Sequence, residues 1–455
     1  MTSTAAAGHI STRTKRLLEA PVASTLLRLA APNVLVMVLQ AVVATMDAVF
    51  VGWLGSDALA GVSLVYPLLM LMQTMSAGGM GGGVSSAVAR ALGAGRRAEA
   101  QALAAHAVLI ALVMGALFTA GLLASGPALY GVMGGKGASL DLALTYSRVV
   151  FGGAVIYWLF NTLASVVRGT GTMALPAGVT AGSALLYLGL APALVMGWGP
   201  FPRLGVAGTA TANLIAFGLA TLVLAGYLCS PWSAVRLTFR GLRFSAARFW
   251  EILRVGAPGS LNTVLTNLTV VLMTGLVGPF GTSSLAGYGM GARLEYLQIP
   301  LVFGMGSALV AMVGTNVGAG QIARAERIAW TGAAIAAGVT ATIGLLAAAF
   351  PGVWLGLFTA DPHVQAAGVT YLLIVGPTYG FFGLGLALYF ASQGAGRLGW
   401  PLLAGFVRLT VAAAGGWLCG YWLGWGPLGI YAAMALALIM FGGTMAAAVK
   451  LGAWR

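Results

Sequence analysis

The sequence predicts an all-α integral membrane protein, with twelve transmembrane helices in two parallel, pseudo-twofold-related six-helix bundles around a central cavity. Three observations predict it: a composition almost without charge, long unbroken apolar runs, and an internal repeat. Of 455 residues, 7% are charged and 59% are apolar, with mean hydropathy +0.94; a typical soluble protein carries about 25% charged residues. A soluble chain of this length would form two or three domains, and it lacks the polar residues to cover them. The same apolar content excludes disorder.

A helix needs about 20 apolar residues to cross the hydrocarbon core. Residues 1–20 form a polar, basic tail with no continuous apolar region, so no secretory signal is expected there. Spans are then expected at 27–53, 58–83, 101–125, 143–168, 174–197 and 205–229. A basic segment, 231–248, separates them from 249–278, 283–314, 328–352, 366–391, 399–423 and 427–450. Runs of this length exclude a transmembrane β-barrel, whose strands are short and alternating. Charge supplies the orientation. With the N-terminus in the cytoplasm, 18 Lys and Arg residues fall in inside segments, among them Arg90, Arg96, Arg97, Arg236, Arg240, Arg243 and Arg324, against Lys136 and Arg203 outside. That asymmetry predicts both termini inside and an even number of spans.

The repeat is read by sliding the chain along itself. LRVGAP (253–258) lies over LRLAAP (27–32) at an offset of 226, which persists through LAG at 285–287 over LAG at 59–61. GAG at 318–320 lies over 93–95, and Gln393-Gly-Ala-Gly396 over Arg168-Gly-Thr-Gly171, both at 225; Gly429-Ile430 lies over Gly205-Val206 at 224. The chain is therefore two homologous halves, 21–230 and 249–455. Six spans per half is an even number, so both halves enter the membrane in the same direction. This is the parallel-repeat architecture of secondary transporters, whose bundles rock against each other. The sequence offers no channel filter or charged ring.

The net charge of +14 is scattered between apolar runs, so it reads as topology and no nucleic-acid partner is expected. Cys229 and Cys419 lie 190 residues apart and have neither metal-ligand nor disulfide-framework spacing. His9, His106 and His363 are dispersed, with no acidic or nucleophilic partner at a catalytic spacing, which argues against an enzyme. GGMGGG (78–83) has no following Lys-Ser/Thr and lies in an apolar run. Its glycines are expected to let helices approach closely and not to cradle a nucleotide. Pro32 and Pro258 are repeat-matched near the starts of spans 1 and 7, where a missing backbone donor permits bending.

Ionisable residues within the membrane are costly and default to functional candidates. Asp47 and Glu295 are the acidic residues well inside apolar stretches. Asn33, Gln40 and Asp47 are spaced by seven, so they share nearly one helix face, expected to look into the cavity. Removal from water disfavours a carboxylate anion, so a group placed like Asp47 can load a proton on one side and release it on the other. In the second half Asp47 corresponds to Met273 and Gln40 to Thr266, so the shared scaffold does not require the acid for packing. Arg293 and Glu295 in span 8 are two apart and poor partners for each other. They are candidates for shaping the cavity or a gate, or for a structural ion pair with another span. Asn262, Thr266 and Thr269 give span 7 a neutral polar stripe, readable as cavity lining or as interhelical hydrogen bonding. Asn161 stands open between cavity ligand and packing, whereas Tyr187, which could stack on a flat substrate, is read as filling space.

Several of these landmarks occur together: TMDAVFVGWLG (45–55), GAG after span 2, RGTG and QGAG each followed by a proline, and GARLEYLQIP (291–300) running on to VGTNVGAG (313–320). The ordered set resembles the MATE (multidrug and toxic compound extrusion) family, and within it the DinF-like branch, over nearly the whole chain. The resemblance implies export of organic, often cationic, amphiphiles (drugs or toxic metabolites) against inflow of protons or sodium ions. It also implies a monomer in the bacterial inner membrane with no cofactor and no metal. The family's span-1 aspartate matches Asp47. Its Asn-x-x-x-Asp pair on span 5 matches Tyr187 and Ala191 here, and the span-7 glutamate of the NorM-like branch matches Thr266. Both departures favour proton over sodium coupling. A flippase for a lipid-linked precursor is the alternative within a related architecture. It would call for a cationic cavity, for which the spans supply only Arg148, Arg293 and Arg408.

Overall fold

The computed structural model describes residues 12–239, 241 and 243–454; His9, Arg240 and Arg455, with residues 1–11 of the basic tail, lie outside them. The described residues form helices and connecting turns without a strand. A short helix α1 (Thr12–Glu19) precedes α2 (Val22–Gly52), α3 (Ser56–Gly93), α4 (Arg97–Val132), α5 (Gly137–Gly152), α6 (Ala154–Gly169), α7 (Ala174–Met196) and α8 (Val206–Cys229). The second half holds α9 (Ala246–Val277), α10 (Thr282–Gly318), α11 (Ile322–Ala349), α12 (Pro362–Ala395), α13 (Gly399–Trp422) and α14 (Pro427–Lys450). Eleven helices are long and apolar enough to cross a membrane, and twelve when the pair α5 and α6 counts as one span. Side chains such as Leu35, Leu185 and Leu222 are 64–72% exposed. In water that surface would drive aggregation; in a bilayer it is the lipid-facing side.

One expectation changes in detail. Span 4 is not one straight helix: α5 and α6 meet at Gly153 with a 44° bend. The repeat carries a related interruption, a 3-10 turn at Gly376–Thr378 within α12, at the matching offset of 225. Within the polar tail, Thr12–Glu19 is helical and Leu17 is buried.

Each half has its own core. In the first, Val51, Val65 and Leu103 pack with Phe151, Tyr157 and Trp158. In the second, Met273, Tyr288, Tyr371 and Leu438 do so. The start of α2 crosses this division, since Leu26 and Ala30 pack with Val302 and Met305 of the second half. Leu17 and Trp454 join that same cluster, so the two ends of the described chain lie on one side, called the terminal side below.

The halves meet along a seam toward the terminal side, where α3 crosses α9 and α10. Backbones come close because glycines lie there: a Cβ on Gly83 would stand 2.7 Å from the backbone nitrogen of Gly256, and one on Gly79 would stand 2.5 Å from that of Ser260. The π-helical turn Met75–Met80 within α3 leads into this contact. Hydrogen bonds cross it. Gln393 Nε2 donates to Gly78 O at 3.0 Å and Ser86 Oγ to Gly394 O at 3.1 Å. Arg90 Nη2 meets Glu251 Oε1 at 2.7 Å, and Arg254 reaches the same oxygen at 2.7 Å. Close approach and interhelical hydrogen bonds are what join helices in a solvent as apolar as they are. α1 extends the seam: Asn316 Nδ2 donates to Leu17 O at 3.1 Å, Arg324 Nη2 to Ala20 O at 2.5 Å, and Arg13 Nη1 to Thr172 at 2.8 Å.

Candidate functional site

Within the first half, α2, α3, α5, α7 and α8 surround a cavity of about 80 Å³. Asp47 reaches it from α2, five residues before that helix ends at Gly52. The helix is continuous through Asp47, so the carboxyl is not stranded beyond an early helix end. Gln40 lies two turns below on the same helix and lines the same cavity. Tyr187 of α7 donates its hydroxyl hydrogen to Asp47 Oδ1. Tyr187 therefore neither simply fills space nor stands free to stack on a ligand: its polar end is held by the acid. Among the described residues Asp47 takes part in no ion pair, whereas the other acid deep in a span does. Its charge, when present, is balanced only by dipoles.

The rest of the lining comes from residues that pattern reading did not single out: Tyr66 and Gln73 on α3, Tyr146 on α5, Ser183 on α7 and Asn213 on α8. One signal was available, because each is a polar group inside an apolar run, and such groups face the bundle interior. Tyr66 and Gln73 also share the seven-residue spacing of Gln40 and Asp47. What the sequence does not carry is which helices stand opposite α2. Chemically, the chamber offers one carboxylate, three amides and several phenol edges, suited to a proton or to an organic cation with an apolar body.

The other predicted residues divide among three places. Asn33 is on the seam and not in the chamber: its Nδ2 donates to Ser307 Oγ of α10 at 2.7 Å, and Gly304 O lies at 3.5 Å. Asn161 is packing, buried on α6 with Nδ2 donating to Ser76 Oγ at 2.8 Å. Asn262 and Thr266 line a second cavity of about 70 Å³ in the other half, together with Thr269, Phe382, Arg408 and Phe441. Thr266 Oγ1 is spent on its own helix, donating to Asn262 O at 2.9 Å. Glu295 forms an ion pair with Arg408 of α13 at 3.2 Å. Arg293 points elsewhere, its guanidinium carbon 5.4 Å from the Phe358 ring centre. The two neighbours on α10 thus have separate partners, as their spacing requires. Of the described histidines, His106 accepts from Ser245 N at 3.1 Å, and the backbone N–H of His363 donates to the helix-capping Asp361 at 2.8 Å. Among the described residues no three His, Cys, Asp or Glu side chains gather as a metal-ligand set.

Comparison with known proteins follows the same lines. The MatE family profile matches residues 32–193 and again 258–418, one match in each half of the repeat. A probable multidrug resistance protein NorM of Deinococcus radiodurans is 30% identical over 93% of this chain and 96% of its own. A protein of Shewanella oneidensis named FAD transporter is 28% identical over 83% of this chain and 82% of its own. Among solved structures, one described as the outward-facing conformation of a multidrug resistance MATE family transporter of the MOP superfamily superposes with TM-score 0.88. It is 24% identical, covering 98% of this chain and 99% of that one. With both halves matched in order and a relative of this identity spanning nearly the full length, the chain belongs to the MATE family and is a multi-pass membrane transporter, not an enzyme.

Proposed function

We propose that the chain is a secondary active exporter of organic, often cationic, amphiphiles, which exchanges cargo for protons bound at Asp47. One observation carries the reading: Asp47 lines a chamber with a tyrosine hydroxyl as its partner and, among the described residues, no cation paired with it. A permanently ion-paired acid would be a structural element, whereas an acid balanced only by dipoles can trade a proton for a positively charged ligand. Relatives named as multidrug resistance or multidrug export proteins support the cargo class. The closed seam on the terminal side supports alternating access, in which the halves part at the seam to expose the chamber to the other side. The bacterial relatives and the positive-inside pattern support a bacterial inner membrane location with both termini in the cytoplasm.

Proton coupling is favoured over sodium because Tyr187 and Ala191 stand where further oxygen ligands would be needed, leaving Asp47 as the chamber's one carboxylate. The flippase alternative ranks lower. Its pyrophosphate would need converging cations, but Arg293 lies over Phe358 and Arg408 is neutralised by Glu295. The relative named FAD transporter points to an anionic cargo for that protein; here the chamber's uncompensated charge is negative, which favours cations. The test is dye efflux from energised vesicles with the pH gradient and the sodium gradient collapsed separately. Efflux should stop with the first and continue with the second; the opposite result would overturn the coupling ion.

A further inference from the structure

We infer that the terminal side carries a phosphate-binding site, and that the phosphodiester headgroup of an anionic membrane lipid occupies it. The site is an open cleft of about 340 Å³, several times the room of either chamber. It lies between the first turn of α1 (residues 12–14), the turn from α3 to α4 (92–97) and the start of the linker (231–234). Arg13 and Arg97 line it, and no acidic residue does. Both cations are held by neutral partners. Arg97 Nε donates to Ala234 O at 2.7 Å and Nη2 to Ser233 O at 3.3 Å, while Arg13 Nη1 donates to Thr172 Oγ1 at 2.8 Å. These bonds fix the guanidinium groups without compensating their charge. The acids nearest to them in sequence are engaged elsewhere: Glu19 with Lys15 at 4.0 Å and Glu99 with Arg248 at 3.0 Å. Residues 1–11, which run up to the cleft, contain no Asp or Glu. Guanidinium groups match the oxygens of a phosphate in shape and charge, and the N-terminal end of α1 adds the positive end of its dipole.

The source of the phosphate follows from the cleft's level and from Trp232. The turn 92–97 joins two membrane-crossing helices, so the cleft lies at the membrane boundary. The linker is firmly held there: Val235 is buried in the core of the first half, Leu237 N donates to Leu228 O at 2.9 Å, and Ser233 Oγ donates to Val235 O at 2.7 Å. On this fixed backbone Trp232 forms part of the cleft wall, yet is 83% exposed. Phe244 and Trp250 are exposed on the same side. An indole presented in this way is costly in water and favourable at headgroup level, where tryptophan anchors membrane proteins. Basic pockets at the ends of membrane helices take anionic headgroups. A lipid phosphate between Arg13 and Arg97, with its acyl chains leaving past Trp232, uses all three side chains. A free phosphate would use the arginines and leave the indole uncovered. The site is separate from Asp47 and its chamber, and its test reads lipid binding and not transport.

The test is native mass spectrometry of the purified full chain in neutral detergent, titrated with phosphatidylglycerol or with phosphatidylcholine of the same acyl chains. A saturable adduct with phosphatidylglycerol is expected, and a much weaker one with phosphatidylcholine. Arg13→Gln with Arg97→Gln should weaken the phosphatidylglycerol adduct about twenty- to thirtyfold, since each basic residue beside an anionic headgroup contributes about fivefold. Arg397→Gln with Lys450→Gln removes equal charge from the terminal side of the other half and should leave the adduct unchanged. Equal weakening by the two pairs, or equal binding of the two lipids, overturns the site. Because Arg97 also anchors the linker, Arg13→Glu provides a second variant that leaves both Arg97 bonds in place. It should weaken the adduct at least about fivefold, and an undiminished adduct would again overturn the site. Inorganic phosphate and glycerol phosphate serve as competitors. An adduct that survives an excess of either supports the lipid, and displacement by either at equal concentration overturns the lipid as the source.

Discussion

Replacing Glu251 with Gln tests the seam between the halves. Glu251 lies on α9, and its Oε1 accepts from Arg90 of α3 at 2.7 Å; the Arg90 side chain is 9% exposed and that of Glu251 32%. Breaking a fully buried pair costs about 3–5 kcal/mol because the remaining charge is orphaned, while an exposed pair is worth about 0–1 kcal/mol. With one partner buried and the other a third exposed, and with Arg90 also donating to Gly394 O at 3.2 Å, the loss falls near ~2 kcal/mol. The penalty applies only while the seam is closed, since parting the halves returns Arg90 to water. At about 1.4 kcal/mol per tenfold, the ratio of open to closed seam should rise about thirtyfold. An open state held at about 1% would then reach about a fifth to a quarter of the population. Spin labels on Arg96 and Gln321, in the terminal-side turns of opposite halves, read this as growth of a longer distance in double electron–electron resonance. Unchanged distance distributions, with the protein still folded, would refute the assignment of this pair to the seam.

Other substitutions probe neighbouring links. Asn33→Ala removes the 2.7 Å bond to Ser307 and should cost about 1 kcal/mol, giving a roughly fivefold shift in the same distance measurement. Gly83→Val sets a branched side chain against the Gly256 backbone, and overpacking of about 1–3 kcal/mol should populate the open seam and lower the thermal unfolding midpoint. A Gly83→Val protein as stable and as closed as the unsubstituted chain would contradict the close-approach account. Tyr187→Phe deletes the hydroxyl that bonds Asp47. A hydrogen bond to a charged group is worth about 1.5–3 kcal/mol, so efflux in vesicles should fall at least about tenfold with unchanged protein level, and normal efflux would remove Tyr187 from the mechanism.

Most of the architecture was legible because hydrophobicity and repetition are local signals. The span count and the equivalence of the halves needed only runs of apolar residues and a diagonal of matched landmarks. The bend at Gly153 was not visible, since the apolar run continues through it and only packing fixes the angle between α5 and α6. For the site, the face was right and the depth was not. Asn33 and Asp47 share a face of α2, but 14 residues separate them by about 21 Å along the axis. One therefore reaches the seam and the other the chamber. Glu295 and Arg293 were recognised as needing separate partners; that Arg408 is the partner of Glu295 depends on α10 and α13 standing side by side, which sequence spacing does not encode. The bond from Tyr187 to Asp47 is not legible in the sequence, because it joins residues 140 apart.

The central claim is that the Asp47 carboxyl exchanges a proton for cargo in the first chamber. Its most direct measurement is drug-stimulated proton movement in proteoliposomes carrying Asp47→Asn, which keeps the shape of the side chain and removes its titration. The account predicts a protein that inserts and folds normally, moves no protons when drug is added, and loses concentrative efflux. Drug-stimulated proton flux at the level of the unsubstituted protein would contradict it.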